Sequence, residues 1–276
     1  TENKVTLSDD NKIYWKVNAI AKIIKGIDYL NPEIEIIADE VLPLDCREKL
    51  KIFLKDWLSK HINDVLNDLL NLTKTQTKDK YLRGLIFQIY EKNGILKRQD
   101  VDTIIKSISK EERKKLWSMG IKIGRYHIYL PKMLKPKAVS LRINLWKLFH
   151  NLSSKNDIPK FGLNFLIDKH FDRKFLLLCG FENFKDFFIR VDILEKLFIN
   201  ILENSNNNKF KISSEMMNLL GCSKENFYKL LLLMNYKKDK DEDTYKFMGE
   251  YKKKVKLIKN INNSNPFKKL MSLNIK

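Results

Sequence analysis

The amino-acid sequence predicts a mainly helical protein of the α+β class, with a small β unit at its N-terminus. Gly and Pro number only 9 and 6 in 276 residues, too few for the many tight turns of an all-β protein. Hydrophobic residues make up 43% of the chain and charged residues 32%, which is the balance of a folded protein rather than a disordered one. Apolar residues also recur at helical spacing over several long segments.

Four regions are expected along the chain. They are a small β unit at residues 1–42, a helical domain with a basic strand and loop at 43–156, a helix-turn-helix-like helical region at 157–236, and a basic, partly flexible tail at 237–276.

Individual elements follow from local patterns. The i, i+3, i+4, i+7 spacing of apolar residues predicts one long amphipathic helix over residues 44–72. Ser109 and the Glu three residues later form a capping-box pattern that opens a short helix. A strand is expected at 121–130, a helix at 184–202, and a polar linker at 204–208 (NSNNN).

The net charge of +19, from 53 Lys and Arg against 34 Asp and Glu, attracts polyanions such as nucleic acids. A genome of AT-rich composition also inflates lysine, so the distribution of charge matters more than its total. No carboxylate occurs between Glu112 and Asp157, whereas cations and aromatic residues alternate there.

We therefore predict that this carboxylate-free segment binds nucleic acid. Cations would neutralise phosphates and release counterions, while Tyr126 or His127 would stack on an unpaired base. The predicted phosphate contacts are Lys122, Arg125, Lys132, Lys135, Lys137 and Arg142. In the alternative interpretation, Trp117, Tyr129 and Trp146 are core residues and the lysines form a solvated rim.

A second candidate lies in residues 213–234. A short helix, a turn and a longer helix capped by Ser223 form a helix-turn-helix outline, and the strand-prone residues 244–248 could form a wing. Lys224 and Lys229 would then face nucleic acid from the second helix. Such an outline also occurs simply as a packing unit.

No motif for catalysis or cofactor binding is present. The sequence contains no GxxxxGK[ST], GxGxxG or GxSxG, and its four histidines lack the spacing of a metal site. We predict no catalytic residue, no metal, no cofactor and no small-molecule ligand.

The expected compartment is the cytoplasm. Cys46, Cys179 and Cys222 lie far apart without a CxxC pair, as is typical of buried thiols in a reducing environment. No run of about 18 apolar residues predicts a membrane span. The chain begins with Thr1 rather than Met, and we expect it to be part of a longer polypeptide.

Four segments carry a resemblance to a known family. In order, IYWKVNAIAKIIKGIDYLNPEIEIIADEVL, LKDWLSKHINDVLNDLLNL, GIKIGRYHIYLPKMLKPKAVSLRINLW and MMNLLGCSKENFYKLLLLMNY resemble the C-terminal region of alphaproteobacterial helicase-related proteins. Those are superfamily 2 RNA helicases similar to the mitochondrial degradosome helicase. The likeness spans most of residues 13–236, and the lysine-rich tail after residue 237 departs from it.

The resemblance implies a larger parent, with two RecA-like domains that hydrolyse ATP followed by this accessory region. None of the family's ATP-binding or helicase motif residues maps onto this chain, so no residue role is carried over. The expected function is to bind RNA, preferably single-stranded, beside helicase motor domains in the same polypeptide. Two other functions stay open: a sequence-specific DNA-binding regulator, and a scaffold that docks on a ribosome or a nuclease partner.

Overall fold

The computed structural model describes residues 5–37, 43–152, 159–167, 172–239 and 244–248. About 52% of it is helical and 24% is strand, and the strands form four small antiparallel sheets. The predicted mainly helical, all-α class is therefore wrong, and the protein is mixed α/β. Several strands are only two to four residues long and turn at Asn or Lys residues with positive φ, so the scarcity of Gly and Pro did not exclude them.

The first sheet is an N-terminal meander whose strands pair in chain order. Its strands are β1 (Val5–Leu7), β2 (Lys12–Trp15), β3 (Asn18–Asp28) and β4 (Asn31–Ile36). One face of the sheet is buried, because Ile13, Ala21, Ile23 and Ile34 all point into the core. The β structure expected near the N-terminus is therefore present in residues 5–36.

Five helices pack with this sheet around one core. They are α1 (Leu44–Lys74), α2 (Lys80–Glu91), α3 (Arg98–Ser107), α4 (Lys110–Ser118) and α5 (Pro136–Phe149). The long helix predicted from residue 44 is confirmed, since α1 buries Leu54, Leu58, Ile62, Leu66 and Leu69 along one face. The β unit and α1–α5 share a single apolar cluster, so the meander has no separate core.

The second sheet takes two of its three strands from the carboxylate-free segment. It comprises β5 (Ile95–Lys97), β6 (Lys122–Ile123) and β7 (His127–Tyr129) in the order β5-β7-β6. The single strand predicted at 121–130 is wrong in detail, because residues 124–126 form a turn that splits it into β6 and β7. A 3-10 turn at Pro131–Leu134 then leads into α5.

A third sheet, in the order β8-β10-β9, opens the second half of the chain. Its elements and the adjacent helices are β8 (Phe165–Ile167), α6 (Arg173–Leu178), β9 (Phe181–Phe184), β10 (Phe187–Arg190) and α7 (Val191–Glu203). The helix predicted at 184–202 is wrong in its first seven residues, since β9 and β10 form a hairpin there and α7 begins at Val191. Lys185 permits this hairpin by adopting a positive φ of 56°.

The last part of the chain contains the predicted pair of helices and a fourth sheet. Its elements are β11 (Ser205–Asn206), β12 (Lys209–Phe210), α8 (Ser214–Leu220), α9 (Lys224–Leu233), β13 (Tyr236–Lys238) and β14 (Tyr245–Phe247). The helices expected in 213–234 are confirmed, with Ser213 and Ser223 accepting the capping hydrogen bonds. The strand expected in 244–248 is also confirmed, as β14.

The predicted linker at 204–208 is instead the hairpin that joins β11 to β12. Asn207 and Asn208 have φ of 53° and 63°, the left-handed conformation that a two-residue hairpin turn requires. The part of the expected flexible tail from residue 249 onward lies outside the described residues.

Across the described ranges, none of the helices combines the length and apolar character that a membrane crossing requires.

Arg142 is fully buried in α5, and this corrects its assignment as a phosphate contact. Its guanidinium donates hydrogen bonds to the carbonyl oxygens of Asn93 at 2.6 Å, Met133 at 2.9 Å and Leu178 at 3.2 Å. Asn93 follows the end of α2, Met133 lies in the 3-10 turn, and Leu178 is the last residue of α6. Arg142 thus joins three segments of the fold, and it is not available to nucleic acid.

We expect Arg142→Met to lower the free energy of unfolding by about 3 kcal/mol, because three buried carbonyls lose a charged donor. The measurement is urea denaturation followed by circular dichroism. Arg83→Met, at an exposed site on α2, is the matched control and should change stability by less than about 0.5 kcal/mol. Equal stability of the two variants would contradict the structural role of Arg142.

Candidate nucleic-acid interface

Three of the predicted phosphate contacts are exposed lysines on neighbouring elements. Lys122 lies in β6, and Lys135 and Lys137 flank Pro136 at the start of α5. None of the three forms an ion pair with a carboxylate of the described residues. Their ammonium groups are therefore available to an external anion.

Lys132 belongs to the same surface but already has a partner. Its ammonium group lies 2.8 Å from a carboxylate oxygen of Asp68 on α1. Asp68 is mostly buried and Lys132 mostly exposed, so the pair fixes the 3-10 turn against α1 and leaves part of the lysine in solvent. Its contribution to anion binding is smaller than that of the three lysines above, because its charge is partly compensated.

Helix α1 lies beside Lys132 and Lys137. His61 on α1 stacks on Trp57, with ring centroids 5.4 Å apart. Burial lowers the pKa of His61, the negative charge of Asp64 opposes that effect, and the positive charge of Lys137 adds to it. Because its pKa is lowered, His61 adds little positive charge beside Lys137 at physiological pH.

Among the described residues of the carboxylate-free segment, Trp117 is the one aromatic side chain that lies largely in solvent. It is 69% exposed on α4, whereas Tyr129 is buried and Trp146 is half-buried. Lys110, Arg113 and Lys114 precede it by seven, four and three residues, which places all four side chains on one helix face. Cations and an exposed indole together match the requirements for binding an unpaired nucleotide.

His127 is buried, which corrects its assignment as a base-stacking residue. Only 1% of it is exposed, and its Nε2 lies 2.7 Å from a carboxylate oxygen of Glu182 in β9. Glu182 also binds the ammonium group of Lys97 at 2.6 Å. No face of the imidazole is open to a base. His127, Glu182 and Lys97 instead form a connected set of ion pairs inside the protein.

Tyr126 occupies an intermediate position between surface and core. Its ring meets Phe184 and Phe198 edge-on, with centroids 6.4 and 5.9 Å away, and its hydroxyl shares a hydrogen bond with that of Tyr236. These contacts belong to the apolar cluster of the C-terminal half. Tyr126 therefore ties the turn between β6 and β7 to that half, and only part of its ring is open to a ligand.

A buried carboxylate, absent from the sequence-based predictions, holds this turn in place. Glu195 on α7 accepts the backbone N–H of Arg125 at 2.6 Å and the N–H groups of Tyr126 and His127 at 2.8 Å each. Three consecutive N–H groups converging on one anion form a nest. A Cβ added to Gly124 would lie 2.2 Å from the Glu195 carboxyl carbon, so only glycine fits there.

Sequence reasoning missed Glu195 and Glu182 because their partners lie 55 to 85 residues away in the chain. Gly124 was the available local signal, since a glycine permits another group to approach the backbone closely. The group that approaches is a carboxylate of the protein itself rather than a phosphate.

The second predicted site, on α9, also has exposed cations. Lys224 and Lys229 both point to solvent, and the Lys224 ammonium group lies 5.7 Å from the centre of the Tyr228 ring. On the adjacent sheet, Lys209, Lys246 and Lys237 stand directly opposite one another across β12, β14 and β13. Lys209 is paired with Asp239 at 2.6 Å, which offsets part of the repulsion within this row.

Over the described parts of the chain, no three His, Cys, Asp or Glu side chains come together in a way that could hold a metal ion.

Comparisons of this chain with protein-family models, with curated proteins and with solved structures find no match. The resemblance to the helicase-related family therefore stays a prediction.

Replacing Glu195 tests the anchor of the turn. We expect Glu195→Gln to lower the free energy of unfolding by about 2 kcal/mol, because an amide keeps one acceptor and loses the charge that strengthens the hydrogen bonds. Glu203→Gln, at the exposed end of the same helix, removes the same charge and is the control. Chemical denaturation measures both, and a loss no larger than that of the control would contradict the anchoring role.

The His127 cluster predicts a specific pH dependence of stability. Burial would lower the pKa of His127, but the hydrogen bond to Glu182 and the charges of Glu182 and Glu195 outweigh it and raise the pKa above 6.5. The imidazolium therefore stabilises the fold fully below about pH 6.5, the value of an unfolded chain, and this stabilisation disappears as the pH rises through the higher folded-state pKa.

Urea denaturation between pH 6 and 9 should accordingly show a declining free energy of unfolding. His127→Gln should flatten that decline, and the exposed-site control His150→Gln should keep it. The same slope in all three proteins would refute the assignment of the decline to His127.

Proposed function

We propose that this chain is a nucleic-acid-binding accessory region of a cytoplasmic RNA helicase, and that it binds single-stranded RNA without any cofactor of its own. The observation that carries the proposal is the separation of charge in residues 113–156. Their lysines reach the surface at Lys122, Lys135 and Lys137, while Glu182 and Glu195, the acids that contact residues 125–127, are buried and bound internally.

This separation matters because binding to a phosphate backbone depends on local rather than total charge. Each lysine that meets a phosphate releases condensed counterions, and a carboxylate nearby would cancel that gain. Glu195 is held by three backbone N–H groups and Glu182 by His127 and Lys97, so neither projects into the lysine surface.

The preference for single strands rests on Trp117. An exposed indole can stack on any base that is not already paired, and such stacking contributes about 1–3 kcal/mol per base. A duplex offers no open base face to it. In the proposed mechanism the lysine surface holds the RNA backbone while separate motor domains translocate it.

A second candidate function is supported by α8 and α9. These capped helices, followed by the β13–β14 hairpin, have the order of a helix-turn-helix with a wing, and Lys224 and Lys229 are exposed on the second helix. A regulator of this kind would select one duplex DNA sequence. The exposed Glu225 between the two lysines opposes phosphate contact and makes this the weaker proposal.

The test is fluorescence anisotropy with a labelled oligouridine, titrated at several salt concentrations. The triple variant Lys122→Ala, Lys135→Ala, Lys137→Ala should weaken binding and reduce the slope of log affinity against log salt by about 2, at roughly 0.7 per lost contact. The control triple variant Lys22→Ala, Lys49→Ala, Lys211→Ala removes the same charge from exposed sites elsewhere and should keep the slope.

Equal effects of the two triple variants would contradict the proposed surface and attribute binding to total charge. Selective binding of one duplex DNA sequence would favour the regulator. Negligible binding of RNA and DNA at low salt, together with a protein partner that co-purifies after nuclease treatment, would favour a scaffold.

A further inference from the structure

One arrangement of helices and strands occurs three times along the chain. Each unit begins with a helix and a strand, continues through one or two helices, and ends in a hairpin. The strand orders β5-β7-β6, β8-β10-β9 and β12-β14-β13 are the same, because the last strand of each unit lies between the other two. The first unit spans residues 80–129, the second 136–190 and the third 191–247. The three units are therefore copies of one topology.

The first and third units also share a helix-turn-helix, formed by α3 and α4 in one and by α8 and α9 in the other. The second helix of each is capped by a serine side chain, Ser109 or Ser223, which accepts the backbone N–H three residues later. Each second helix is followed by a methionine and then by a residue with positive φ, Gly120 or Asn235. Helix α4 thus has in the first unit the place that α9 has in the third.

The sequences of α4 and α9 agree from the serine cap onward. Residues 109–116 read SKEERKKL and residues 223–230 read SKENFYKL, with five identical positions out of eight. Leu116 and Leu230 are both buried, so the two segments also share their inward-facing position. The identical lysines are all exposed: Lys110, Lys115, Lys224 and Lys229. The two helices therefore present matching cations to the outside.

The lysine that opens each helix is not explained by helix stability. Lys110 and Lys224 hold the first helical position, where the positive end of the helix dipole repels a cation. The serine caps and the acids Glu111 and Glu225 do stabilise a helix start, so these shared residues have a structural reason. The two opening lysines gain instead when an external anion binds beside them.

Of the two helices, α4 has the larger positive charge. Its four cations stand against two acids, one of which, Glu112, is used in the capping box. Helix α9 has two lysines and one acid, because aromatic residues take the positions of Arg113 and Lys114. In the second unit, α6 buries three of its six residues and offers little surface to a ligand. Helix α4 is therefore the stronger contact for an anion and α9 the weaker.

The fold holds the first and third units at a fixed separation. The hairpin turn of the first unit donates the N–H groups of Arg125 and Tyr126 to Glu195, which belongs to the first helix of the third unit. The ring of Tyr126 also packs against the apolar cluster of the third unit. A ligand that meets both α4 and α9 does not have to order the two units first, which favours binding.

We propose that α4 and α9 are equivalent nucleic-acid contacts and that one single strand of RNA binds across both. The inference rests on the proposed function and adds a second contact helix to it. Once the strand is bound at α4, its contact with α9 is intramolecular and increases the affinity without any new site. An acidic protein segment would also pair with the lysines, but it has no base to stack on the exposed indole of Trp117.

The test measures the affinity for oligouridines of increasing length by fluorescence anisotropy. Affinity of the unaltered protein should rise by at least about 10-fold over a narrow range of length, where the strand first reaches the second helix. Lys224→Ala with Lys229→Ala should remove this rise and leave the affinity for the shortest strands unchanged, because those bind at α4. The control variant Lys22→Ala with Lys49→Ala removes the same charge from exposed sites elsewhere and should keep the rise.

A reciprocal variant tests the first helix. Lys110→Ala with Lys115→Ala should remove the rise and also weaken the binding of the shortest strands. A gradual increase with length in the unaltered protein, or the same length dependence in the α9 variant and its control, would overturn the second contact. If the triple variant of Lys122, Lys135 and Lys137 still weakens binding in that case, the proposed function stands without it. An absence of RNA binding by the unaltered protein would overturn both.

Discussion

The carboxylate of Glu195 is the contact on which the arrangement of this protein depends. It receives three consecutive backbone N–H groups from the turn between β6 and β7, and that turn belongs to the core built by α1–α5. Because Glu195 is part of α7, the same contact joins the two halves of the chain. Tyr126 then inserts into the C-terminal apolar cluster, and His127 turns inward to Glu182. A glycine at 124 is required to let the carboxylate approach.

The burial of these charged groups explains how a protein with a formal charge of +19 separates its charges. Two acids are buried at the junction, where hydrogen bonds and paired cations offset the cost of removing them from water. One arginine is buried as well, but it serves three carbonyl oxygens rather than an anion. Lysines that take no part in these contacts are left on the outside, and they define the surface that nucleic acid would meet.

Local patterns were predictable from the sequence, and contacts between distant residues were not. The helix from Leu44, the capping box at Ser109 and the cap at Ser223 each depend on neighbours within four residues, and the structure contains them all. The hairpins β9–β10 and β11–β12 were not predicted, because their turns use Lys185 and the pair Asn207–Asn208 in left-handed conformations rather than glycine. The mainly helical fold class was wrong for that reason.

The separation between Arg125 and Glu195 has a consequence for biosynthesis. The two residues are 70 positions apart, so the ribosome completes the turn long before it adds the carboxylate that holds it. At about 5–20 residues per second, the interval is roughly 4 to 14 seconds. During that time the residues that form the first core have been synthesised, while the three N–H groups of the turn have only water as their acceptor. The final shape of this turn is therefore acquired late, when α7 emerges and closes the loop.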